Sequence, residues 1–283
     1  MDCHLYHPGV SDDSVNLLTR VVTQLIPKRR RRYPLELIVR LIVRALLHRV
    51  DNGCKWRALE RVGHLPWHVA YDYHRRWARA YVLETANALI VSALRFLEAF
   101  ALATVGAPGP VPRPGHPTLA SVDSESVRAP GWGRRERAGV DGYKRVSGVK
   151  LHRATDARGH LLACACSGAN AHDGPWLAPV LRRVRAAGFG TVRVAVADGA
   201  YAHFGPEAAA LGIRLEVTTV PECRKLKANG FTPVPRRWVI ERTFGQLRHA
   251  RAFDTIHDRL ARHVESTVMW AHVKLGLRQL EKL

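Results

Sequence analysis

With 283 residues, 47% of them apolar, the chain is long enough to bury a substantial core in one large domain or two ordinary ones. Its 44 Lys and Arg stand against 24 acidic residues, and the net charge of +20 far exceeds what solubility requires. This implies a polyanionic partner, with nucleic acid first and an anionic membrane surface second.

In chain order, the first residues lack the basic start and apolar stretch of a secretory signal, so a cytoplasmic protein is expected. Lys28, Arg29, Arg30, Arg31 and Arg32 are five consecutive cations, read as a phosphate-binding arm or as plain solvated surface. Pro34 suits a first helical position, and an apolar helix is predicted from there to Val50. Arg40, Arg44 and His48 mark one polar stripe along it, which argues against a membrane span. Further helices are predicted from Trp56 to Gly63, after Pro66 with Val69, Tyr73 and Trp77 on one face, and from Val82 to about Ala103. The pair around Gly63 has a helix-turn-helix pattern. Trp56, Trp67, Tyr73 and Trp77 are read as core.

Residues 105–117, VGAPGPVPRPGHP, hold five prolines and three glycines and predict an extended linker. The expected organisation is therefore a helical domain over 1–104, the linker, and a mixed α/β domain over 118–283. Past the linker, strands are predicted at Thr118–Val122, Gly148–Thr155 and Leu161–Cys166, the last two joined by the turn at Asp156–Gly159. A helix over Pro175–Ala187 follows. Val192, Val194 and Val196 then alternate into a strand ending at Asp198. A helix near Pro206–Leu211, a strand over Ile213–Val220, and helices over about Arg237–Ala252 and His257–Glu281 complete the chain. The five cysteines, Cys3, Cys54, Cys164, Cys166 and Cys223, are scattered and odd in number, so reduced thiols are expected, with Cys164 and Cys166 as packing residues.

This layout brings three acids toward one sheet edge: Asp123, Asp198 and Glu241. A carboxylate cluster in a cleft is costly unless a cation neutralises it, and hard oxygen ligands favour Mg2+ or Mn2+. Two such ions would suit in-line displacement at phosphorus. Glu125 shares a strand face with Asp123 and is an alternative first ligand. Arg237, Glu241 and Arg248 point in nearly one direction on their predicted helix, beside the apolar stripe of Ile240, Phe244 and Leu247. They form either a phosphate-binding edge with a metal ligand or, for Arg237 and Glu241, an ordinary surface ion pair. Lys144, Lys150 and His152 are candidate DNA-backbone contacts, set against a solvated face for Lys150 and His152. Trp132, between two glycines, suits either base stacking or packing. His172 and Asp173 lie near the site or form a loop closed by an Asp N-cap.

Several ordered blocks carry a family resemblance across nearly the whole chain. These are GCKWRALERVGHLPWHVAYDYHRRWAR (Gly53 to Arg79), SVDSESV (Ser121 to Val127), VKLHRATDARGHLLACACSGANAHDG (Val149 to Gly174), VAVADGAYA (Val194 to Ala202) and PRRWVIERTFGQLRHARAF (Pro235 to Phe253). Together they resemble the transposases of bacterial insertion sequences of the IS5 type, within the DDE superfamily. The resemblance implies a ribonuclease-H-like catalytic domain behind a small all-α domain, with Asp123, Asp198 and Glu241 as ligands of two Mg2+ ions. It implies cleavage at the element ends and joining of the freed 3′ hydroxyls to a target, on double-stranded DNA held by a dimer or larger complex. A related Y-R-E-K signature would fall on Val234, Arg237, Glu241 and Arg248, so its tyrosine is absent here and its lysine is replaced by arginine. Two other readings fit the same blocks: a domesticated DNA-binding protein without chemistry, and a nuclease or resolvase that only hydrolyses.

Overall fold

A computed structural model of the chain describes residues 9–27, 33–62, 65–105, 116–130, 139–218 and 238–283. The cationic run Lys28 to Arg32, Trp132, Val234 and Arg237 lie outside the described residues.

The helical half opens with an element that the sequence reading missed, α1 (Asp12–Leu25). Ser11 caps it by accepting a bond from the Ser14 N–H at 3.1 Å, and Asp12 and Asp13 sit in the first turn, where the helix dipole favours anions. Val15, Leu18 and Val22 form its buried stripe. Helix α2 (Leu35–Asn52) stops at Gly53, whose left-handed φ of 60° lets the Gly53 N–H bond back to the Arg49 carbonyl. The expected stripe of Arg40, Arg44 and His48 is only partly wet: Arg44 and His48 are buried, and Arg44 pairs with Asp12. Trp56–Val62 is a 3-10 helix and not an α-helix, and the turn at Gly63 lies outside the described residues. Helices α3 (Trp67–Arg79) and α4 (Val82–Val105) follow as predicted. Trp77 is buried in the core, whereas Trp56, Trp67 and Tyr73 are half-buried around it.

The second half builds one six-stranded sheet from β1 (Leu119–Arg128), β2 (Gly139–Asp141), β3 (Val146–Thr155), β4 (Leu161–Gly168), β5 (Val194–Ala197) and β6 (Arg214–Val217). The order is β2-β3-β1-β5-β6, with β4 also paired to β3. Strand β1 pairs antiparallel with β3 and parallel with β5, and β5 pairs parallel with β6. Two expectations change. Strand β1 runs to Arg128, so Asp123 lies inside it and not at its end, and β2 was not foreseen. The polar run Asp123 to Ser126 hid the longer strand, because its apolar alternation is interrupted.

Side chains alternate between the two sheet faces. On one face Val127, Val149, Leu151, Cys164 and Cys166 pack in a core shared with α1 to α4 and with α8 (Ala261–Leu280). On the other, Val122, Ala154 and Ala165 pack on α5 (Leu177–Ala186), close to α6 (Gly205–Ala209). Helix α8 is buried on nearly every side, with Trp270 at its centre, and it touches α2, α3, α4 and β4. The helical segment before residue 106 therefore rests on the C-terminal helix within one continuous core. Among the described residues no single helix is long and apolar enough to cross a membrane; Trp67–Arg79 and Val82–Ala101 reach that threshold only as a pair bent by 71°. Cys164 and Cys166 are free and buried, as expected of packing residues.

Candidate active site

Strand register does the first part of the positioning. Leu119 faces Val194, Ala120 faces Ala195 and Ser121 faces Val196 across the parallel β1–β5 pair. Two more steps along the same register set Asp123 beside Asp198, the residue immediately after β5. Neighbouring strands are about 4.8 Å apart, so two carboxylates enter one neighbourhood at the point where β5 stops and β1 continues. Asp123 is half-buried and its Oδ1 accepts the Ser124 N–H at 2.7 Å. Asp198, also half-buried, caps the 3-10 turn Gly199–Phe204 by accepting the Ala200 N–H at 3.0 Å.

The third carboxylate rides on α7 (Trp238–Leu247), which buries Val239, Ile240, Thr243 and Leu247. Three contacts fix its direction. At its N-terminal end Arg242 donates to the Arg158 carbonyl at 2.7 Å, and Val239 and Thr243 lie against Gly159, in the turn between β3 and β4. In its middle, Phe244 lies under the Arg153 guanidinium at 4.0 Å. Just past its C-terminal end, Arg248 pairs with Glu125 at 3.0 Å. Helix α7 therefore runs parallel to β1 over the face that carries Asp123 and Glu125. Glu241, exposed in its first turn, lies one turn before Phe244, on the side of the β3–β4 turn.

Glu125 and Asp123 share a face, but their surroundings differ. Arg153 stands opposite Asp123 on β3, is fully buried, and donates to Glu125 at 2.7 Å. Burial pulls the Arg153 guanidinium down to about 10, against the opposing pull of Glu125 and, more weakly, Asp123. Glu125 is thus held between Arg153 and Arg248. The residues suit a divalent cation by chemistry: hard carboxylate oxygens, two of them adjacent in register. Among the described residues, no three His, Cys, Asp or Glu side chains are near enough to hold one metal ion. The β1–β5 register brings Asp123 and Asp198 to one neighbourhood, and no coordination shell that includes Glu241 is formed among the described residues.

The expected DNA contacts divide. Lys144 is exposed beside the β2–β3 turn. Lys150 is turned inward, donating to the Ala171 carbonyl at 2.7 Å and pairing with Asp173 at 3.0 Å. His152 is 0% exposed, stacked on Trp176 at 4.8 Å and hydrogen-bonded to Ser167 at 2.8 Å, and burial lowers its pKa to about 3. It is a neutral core side chain, which removes it from both the phosphate contact and the solvated face considered for it. Asp173 makes no N-cap bond; it accepts from Ser124 at 2.7 Å and pairs with Lys150. Arg248 is 75% exposed and tied to Glu125, so its first role is to dock α7. Arg153 was missed as a site residue, because only the β1–β3 register reveals that it faces Asp123.

Residues 114–273, more than half of the chain, match a family model described as Transposase DDE domain. Residues 18–87 match a model for transposases of the IS4/5 family. No curated protein matches the chain.

Proposed function

The chain belongs to the DDE-domain transposases, of the IS4/5 kind, and from that premise we propose that it cuts DNA at the ends of its element and joins the freed 3′ hydroxyls to a target. Asp123, Asp198 and Glu241 hold the divalent cations, Mg2+ or Mn2+, that this chemistry needs. When bound, such ions activate the attacking oxygen and stabilise the leaving oxygen of an in-line displacement at phosphorus. The observation that carries the reading is the β1–β5 register, which sets Asp123 beside Asp198 at a strand end, where open α/β sheets hold ligands.

The protein's own residues supply preorganisation. Backbone N–H groups of Ser124 and Ala200 orient the two aspartates, and the Arg153–Glu125–Arg248 chain holds α7 against β1. Lys28 to Arg32, Lys144, Arg237 and Arg248 provide the charge for phosphate contact. The helical half recognises element ends, and two copies hold two ends at once.

The test combines the purified chain with duplexes made from the DNA bordering its own gene, a plasmid target, and Mg2+ or Mn2+. The proposal expects metal-dependent cleavage followed by joined products. Nicks without joined products would leave only a nuclease, and binding without any cut would leave only a DNA-binding protein.

A further inference from the structure

The turn between β2 and β3 carries an aromatic side chain that stands clear of the described residues. Tyr143 is 96% exposed, and Lys144 and Arg145 beside it are exposed too. The turn is nevertheless held firmly. Asp141 Oδ1 accepts the N–H groups of Tyr143 at 3.1 Å and Lys144 at 2.9 Å, while its Oδ2 accepts the Ser126 hydroxyl at 2.6 Å. Arg145 adopts a left-handed φ of 53°, a strained backbone state for arginine that persists only where its surroundings fix it. At the base of the hairpin, Gly139 lies against the Asn170 side chain and Gly148 against the Val127 carbonyl, at separations that leave no room for a Cβ.

Tyr143 also borders a groove of about 630 Å³ that passes Lys150, Asn170 and Asp173 and ends at Ala200, two residues beyond Asp198. Lys150 and Ser124 belong to the sheet face opposite Asp123, so the groove lies behind that carboxylate and comes nearest to Asp198 at Ala200.

We infer that this hairpin tip is a second DNA contact, in which Tyr143 wedges against a base step while Lys144 and Arg145 engage the flanking phosphates. A fixed turn loses little freedom on binding, and an aromatic ring followed directly by two cations sets a stacking surface next to charge for the backbone. The chain's net charge of +20 favours the same polyanion. Geometry sets the offset. Arg153, opposite Asp123, is seven residues along β3 from Val146, where the turn ends. At about 3.3 Å per residue this is about 20 Å, or about six base pairs of duplex. The contacted step therefore lies at least about six base pairs from the cleaved bond.

The inference rests on the transposase reading for its choice of DNA, and the experiment separates the two. Duplexes from the DNA bordering the gene carry 5-iodouracil at one thymine at a time, are irradiated with the full-length protein, and the linked peptide is sequenced. Tyr143 is expected to cross-link at positions about six or more base pairs from the cut. Tyr143→Ala should weaken binding about ten-fold without changing its salt slope, and Tyr143→Trp should restore it. Lys144→Ala should instead lower the slope by about 0.9. Cross-links that avoid Tyr143, with Tyr143→Ala binding as tightly as the parent, overturn the inference even where the parent cuts and joins DNA. Cross-links at Tyr143 by a parent protein that never cuts would uphold the contact and overturn the function.

Discussion

Replacing Arg153 by methionine removes a guanidinium from the carboxylate face while keeping most of the side chain's volume. The charge lost is fully buried, bonded to Glu125 at 2.7 Å and stacked on Phe244 at 4.0 Å. Breaking a buried ion pair by deleting one partner costs roughly 3–5 kcal/mol, because the other charge is stranded. Here Glu125 is 14% exposed and keeps Arg248, a 75% exposed partner worth at most about 1 kcal/mol. The expected loss is therefore about 2–4 kcal/mol. Urea denaturation of the parent, Arg153→Met, Glu125→Gln and the double variant closes a cycle. The double variant should cost about 2 kcal/mol less than the sum of the singles. Single costs that add to within about 0.5 kcal/mol would refute the claim that this pair pins α7 to β1.

Asp156, fully buried, is held at about 2 rather than 3.8: burial opposes its ionisation, but His160 and then Arg95 outweigh that. Its folded pKa is lowered, so its contribution of about 2 kcal/mol is present above pH 4 and lost as pH falls toward 2. Asp156→Asn should cost about that much at pH 7 in denaturant melts, with the gap to the parent narrowing from pH 4 downward; an equal gap at pH 3 and pH 7 would contradict it. Gly148→Ala should cost several kcal/mol, because its Cβ would lie 2.0 Å from the Val127 carbonyl oxygen, whereas Gly190→Ala meets nothing within 4 Å. Thermal melts that rank the two alike would count against the described register. Neutralising Lys28 to Arg32 should weaken binding to all DNA sequences and reduce the salt slope by up to about 4, as five phosphate contacts require. A loss confined to one sequence would contradict the phosphate-arm role.

Much of the fold was legible because periodicity survives where packing is simple. The valines ahead of Asp198 and the apolar stripe around Glu241 announced β5 and α7, and the family blocks named the carboxylates they carry. Elements whose polar residues are satisfied by distant partners were harder to read. Ser11 and Glu281 anchor α1 from opposite ends of the chain, the Glu281 carboxylate accepting the Ser11 N–H at 2.6 Å. Strand β1 extends through Asp123 to Ser126 because Arg153, Asp173 and Asp141 absorb its polar side chains. His152 looked like a surface cation because sequence shows its basic neighbours and not the Trp176 ring that covers it. Arg153 is the mirror case: its burial against Glu125 depends on a cross-strand register that no local pattern encodes.

The central claim is that Asp123, Asp198 and Glu241 act together on a divalent cation. The most direct measurement is cleavage of the gene-bordering duplex by Asp198→Ala and Glu241→Gln, with DNA affinity measured in parallel. The account predicts that each variant loses cleavage in Mg2+ and in Mn2+ while binding DNA about as tightly as the parent. Cleavage at the parental rate by either variant would contradict it.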